Sequence, residues 1–89
     1  MAPGAVPQRG KANFADLMTD AHGAMLALDN VRVGGGSRAA AAFVRGGLRV
    51  YSQLHYYRQT ERMRVAETSV LQTAMNLIRS RLQFFGEAV

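Results

Sequence analysis

Three arginines are the first residues in this chain whose placement suggests a chemistry. Arg38, Arg45 and Arg49 fall on one narrow side of a helix, and Tyr56 falls on the same line with Ala42 and Ser52 between. A guanidinium grips a carboxylate or a phosphate through two parallel hydrogen bonds, and a tyrosine ring can stack on a base. Arg58 and Arg62 continue the basic stretch, so the candidate partner-binding face is Arg38, Arg45, Arg49, Tyr56, Arg58 and Arg62. From Arg32 to Arg64 seven arginines stand against one acid, Glu61, whereas Asn13 to Asn30 holds Asp16, Asp20, Asp29 and no base. A chain polarised in this way favours an anionic partner, or a second copy docked acidic end to basic middle. An acidic protein is the first reading. Nucleic acid is the alternative, set second because helix-turn-helix spacing, zinc ligands and the aromatic signatures of RNA-binding sheets are missing.

Other chemistries find less to work with. Asp16 and Asp20 lie one helical turn apart, but His22 falls off their face and His55 is far along the chain, so three converging metal ligands are not in sight. Cysteine is absent, which removes disulfides, thiolate nucleophiles and thiolate metal sites. There is no Ser-His-Asp order, paired-carboxylate motif or phosphate-binding glycine signature. Gly34, Gly35 and Gly36 before Ser37 and Arg38 come nearest, since free amides at a helix start beside a guanidinium can hold an anion. A plain, flexible inter-helix loop is the preferred reading of them. No enzyme, metal or cofactor is expected.

These residues must be carried by helices. Asn13 is a good N-cap, and Asp16 in the next turn suits the helix dipole. Phe14, Leu17, Met18, Ala21, Ala24, Met25, Leu28 and Val31 then recur at helical spacing, predicting an amphipathic helix over 14–32, about 28 Å long. Gly23 weakens it and suggests a close helix contact. The glycines at 34–36 end it, and Ser37 is the expected cap of a second helix beginning at Arg38. Opposite the arginine row that second helix presents Ala40, Phe43, Val44, Gly47, Val50, Tyr51 and Leu54. Gly47 on this apolar side marks either a close backbone approach or a local break.

From Leu48 to Phe85 there is neither glycine nor proline, and these 38 residues read as helix throughout. Val70, Leu71, Ala74, Leu77, Ile78, Leu82 and Phe85 form the last apolar stripe, and Gly86 closes it. Yet the stripe of 40–54 and the stripe of 70–85 point nearly opposite ways on one ideal helix, far beyond the drift of about 20° per heptad. The change falls in the polar segment 58–64. Either the chain turns there and makes a three-helix bundle, or one rod of about 57 Å runs from 48 to 85. The missing breaker favours the rod. A rod of that length outruns the first helix, so Leu71, Leu77, Ile78, Leu82, Phe84 and Phe85 would remain as an association stripe for another subunit, making a homo-oligomer.

Residues 1–12 hold Pro3, Gly4, Pro7 and Gly10 and read as a flexible tail before a single helical domain over 13–89. No apolar run approaches the roughly 18 residues of a membrane span, and the start lacks a signal peptide's apolar centre, so a cytoplasmic location is expected. In layout the chain resembles the small helical subunits of type III secretion needles and rods: polar tail, short amphipathic helix over 14–32, tight loop, long C-terminal helix. Gly34–Gly36 stands where those subunits carry a proline-bearing turn. That resemblance implies polymerisation through the long helix, and a phage-encoded inhibitor or small adaptor would share the layout. The expectation is therefore an all-α chain acting as a non-catalytic protein-binding or self-assembling module.

Overall fold

A computed structural model describes residues 13–89; the tail expected at 1–12 lies outside the described residues. Three helices follow in order: α1, Phe14–Gly34; α2, Ser37–Thr60; α3, Val65–Phe84. Each packs against the other two around one apolar core.

Local chemistry accounts for the start of α1. The Asn13 side chain accepts a hydrogen bond from the Asp16 amide at 2.8 Å, satisfying one of the free N–H groups of the first turn. The expected stripe then turns inward. Leu17, Ala21, Leu28 and Val31 are buried, and Phe14, Met18, Ala24 and Met25 pack on them half-covered. Gly23 does not sit at a helix contact as expected; a Cβ there would meet no atom within 4 Å.

The connection to α2 is shorter than the glycine triplet suggests. Gly34 ends α1, Gly35 caps it, and Gly36 is already the N-cap of α2. Ser37 is therefore the first helical residue rather than the cap, and no side chain caps this end. Gly35 has no room to be anything else, since a Cβ would lie 2.8 Å from the Cα of Val31.

The continuous rod does not form. α2 stops at Thr60, Glu61 is extended (φ −108°, ψ 149°), and α3 starts four residues later. The long C-terminal helix, and with it the layout shared with needle subunits, is replaced by a hairpin of two helices of 24 and 20 residues. Energy decides this. Continuing through 61–64 would keep a few backbone hydrogen bonds, worth about 0.5–1.5 kcal/mol each. Folding back buries Leu71, Met75, Ile78 and Leu82 almost completely, and each such side chain contributes about 1.5–3 kcal/mol. Both stripes then point into one core, and the demand for a second subunit that the rod imposed is gone.

The break is also prepared locally. The Thr60 hydroxyl donates to the Tyr56 carbonyl at 2.9 Å, and the Glu61 amide closes the last turn on Tyr57 at 3.0 Å. On the far side the Arg64 amide donates to the Glu67 carboxylate at 3.3 Å, and that charge lies in the first turn of α3, where the dipole favours it. Gly86 ends α3 at φ 88°; its amide bonds Gln83 at 3.0 Å and the Glu87 amide reaches back to Leu82 at 3.1 Å. This paired arrangement needs a left-handed residue, and glycine takes it without a side-chain clash.

Candidate functional site: the outer face of α2

α2 spends one side on the core and leaves the other to the outside. Val44, Gly47, Val50 and Leu54 are buried. Gly47 lies where the three helices meet, for a Cβ would come within 3.1 Å of both Leu28 on α1 and Leu82 on α3. The helix runs through Gly47 unbroken, and what approaches it closely is two leucine side chains rather than another backbone.

On the opposite side Arg38, Ala42, Arg45, Arg49, Ser52 and Tyr56 are all exposed. With a rise of 1.5 Å per residue the row from Arg38 to Tyr56 spans about 27 Å, and Arg45 and Arg49 stand about 6 Å apart. Tyr56 keeps 68% of its surface in solvent. α2 contains no acid anywhere in its 24 residues, so the helix itself cannot neutralise this face.

The other arginines set the contrast. Arg81 grips Asp29 through two hydrogen bonds of 2.9 and 3.2 Å, pinning α3 to α1, and also donates to the Leu77 carbonyl. Arg79 donates twice to the Tyr51 hydroxyl, at 2.8 and 3.2 Å, tying α3 to α2. Arg32 covers the Phe84 ring at 4.6 Å. Arg38, Arg45, Arg49 and Arg62 make no hydrogen bond or ion pair among the described residues.

No family of known proteins, curated protein or solved structure matches the chain. The geometry alone must carry the functional reading.

Two of the six residues expected on the basic face stand elsewhere. Arg58 lies about 200° around the helix from Arg38 and donates to the Gln72 side chain on α3. It belongs to the α2–α3 seam. Arg62 is exposed in the turn after α2 and lies beyond the row. Helical periodicity alone takes Arg58 off the row, and the hairpin then brings α3 to the side that it faces.

The association stripe is divided in the same way. Leu71, Ile78 and Leu82 are core residues with no exposed surface. Phe85 is half-buried against the core, meeting Phe84 edge-on with centroids 5.3 Å apart. Leu77 and Phe84 remain largely exposed. As an intact surface for another subunit the stripe does not exist.

Sequence reasoning missed the structural duties of Arg79 and Arg81, whose partners lie 28 and 52 residues away. It also missed Tyr57, whose ring packs against Phe14 at 6.4 Å. Burial raises the Tyr57 phenol above its usual value, helped by the negative charges of Glu61 and Glu67. His22 and His55 are both exposed. Among the described residues no three His, Asp or Glu side chains converge as a metal site, and no helix is long and apolar enough to cross a membrane.

Proposed function

We propose that this chain is a non-catalytic helical module that binds an acidic protein through the outer face of α2. The observation that carries the reading is the division among the arginines. Those on α1 and α3 are engaged within the fold, whereas Arg38, Arg45 and Arg49 are exposed on one line with no partner among the described residues. Isolated surface ion pairs are worth little, about 0–1 kcal/mol. A row of three guanidiniums meeting carboxylates at an interface that excludes water is worth more, because bidentate charge-assisted bonds strengthen there. The core is complete without a second copy, and the reading takes a different protein as the acidic partner.

The test compares proteins retained by the wild-type chain with those retained by a variant carrying Arg38→Ala, Arg45→Ala and Arg49→Ala. Acidic proteins held by the first and lost by the second support the reading. Retention that ignores the triple substitution moves the docking surface off α2.

Nucleic acid is the second reading, supported by the exposed Tyr56 ring on the arginine line. Under that reading affinity falls steeply with salt, and Arg45→Ala and Arg49→Ala each reduce the salt slope by about one unit. Gel shifts at about 100 mM salt that show no complex with duplex or single strand end it.

A further inference from the structure

Three features of α2's outer face cost stability and have no compensation among the described residues. Arg45 and Arg49 are like charges one turn apart, a spacing that destabilises an isolated helix. Gly46 interrupts the middle of a helix, where glycine is among the poorest residues. Its neighbour Gly47 is demanded by Leu28 and Leu82, but a Cβ on Gly46 would meet nothing within 4 Å. Tyr56 leaves its ring in water. Where local choices conflict with the fold that holds them, the conflict points to a site of use.

The geometry of the conflict is specific. Ala42, Arg45, Gly46 and Arg49 stand at i, i+3, i+4 and i+7, the four positions that frame a hole on a helix surface for a side chain from a neighbouring helix. Here two corners of the hole are the smallest side chains available, Ala42 and Gly46, and the other two are arginines whose backbone positions lie about 6 Å apart along the axis. An incoming carboxylate would descend between two forks, with nothing underneath to hold it away. A bare charge patch needs arginines but no hole.

Resting on the acidic-partner reading above, we infer that the element bound is an α-helix of the partner, laid along α2, with a glutamate or aspartate seated in the Ala42–Arg45–Gly46–Arg49 hole. Charge complementarity selects the occupant, since α2 carries no acid of its own. The straight row of about 27 Å matches some five turns of a partner helix, which places further acidic residues against Arg38 and the far end against Tyr56.

The probes are two synthetic helical peptides of one composition, one with its glutamates on a single face at alternating steps of three and four, the other with them scattered, and a DNA duplex as a third ligand. The full chain is used as wild type, Arg45→Ala, Gly46→Ala and Gly46→Leu, with affinities from fluorescence anisotropy at fixed salt. The one-faced peptide should bind about tenfold more tightly than the scattered one, the difference made by one well-seated charged contact. Arg45→Ala should remove that preference. Gly46→Leu should weaken the one-faced peptide by a similar factor, with Gly46→Ala between, while thermal melts of both variants stay at or above wild type. Equal affinity for the two peptides, or indifference to Gly46→Leu, overturns the helix inference and leaves an acidic partner of another shape. Binding of the duplex with neither peptide bound overturns the acidic-partner reading together with it.

Discussion

Gly46 and Gly47 stand side by side in α2 and answer to different neighbours. Gly47 faces inward, within reach of Leu28 and Leu82, and its missing side chain lets three helices meet. Gly46 faces open space, and nothing in the fold uses its smallness. The same division runs the length of α2, with Val44, Val50 and Leu54 spent on the core and Arg38, Arg45 and Arg49 exposed without a partner among the described residues. One side of this helix is explained by the protein's own stability. The other side has no such account among the described residues, and it is there that the proposed partner docks.

If that division is correct, substitutions on the two sides must differ in kind. The largest effect belongs to Leu54, which has no exposed surface; Leu54→Ala should lower unfolding free energy in urea by about 2–5 kcal/mol. Its outer counterparts, Arg45→Ala and Arg49→Ala, should each stay within about 0.5 kcal/mol of wild type. A large loss from either arginine would mean that the outer face is part of the stability of the fold.

Gly47→Val comes next. Both leucines facing it are fully buried and have little room to retreat, so overpacking should cost about 1–3 kcal/mol. Gly46→Ala should have the opposite sign, a gain of up to about 1 kcal/mol from helix propensity. If the two substitutions shift the urea midpoint alike, the contrast between the glycines fails.

The arginines offer a finer comparison. Arg81→Ala removes the ion pair to Asp29, whose side chains are 25% and 41% exposed, and solvent screening limits the loss to about 0.5–1 kcal/mol. That loss should shrink in high salt, whereas Arg38→Ala should show no salt-dependent loss of stability.

The smallest effect concerns pH. Tyr57 holds its proton more tightly in the fold than in the unfolded chain, through burial first and then Glu61 and Glu67. A group with a raised folded pKa contributes stability that is complete below its unfolded value of 10.0 and is lost as pH rises beyond it. Tyr57→Phe should therefore show a shallower alkaline loss than wild type when urea midpoints are followed from neutral pH upward. Parallel curves would assign the alkaline slope to other groups.

What the residues determined by themselves is nearest-neighbour in character. Asn13 caps α1 through its own third neighbour, the glycines at 34–36 end it, and Gly86 closes α3 with the left-handed turn that suits glycine. The all-helical class, the inward stripe of α1 and the alignment of Arg38, Arg45, Arg49 and Tyr56 follow from helical periodicity, which is visible within a window of a few turns. Residues 58–64 are different. Helix and turn differ there by a few tenths of a kcal/mol per residue in propensity; the hints were the apolar stripe changing sides across a polar segment and Glu67 three places after Arg64, an unusual cap. The hairpin was decided by Leu71, Met75, Ile78 and Leu82 finding Leu17, Leu28 and Leu54, contacts between residues far apart in sequence. Once the chain turned, Arg58 was drawn to Gln72 and Arg81 to Asp29. Which arginines were left unengaged among the described residues therefore emerged only when the helices packed, because pairing depends on what lies across the seam, and local spacing does not contain that.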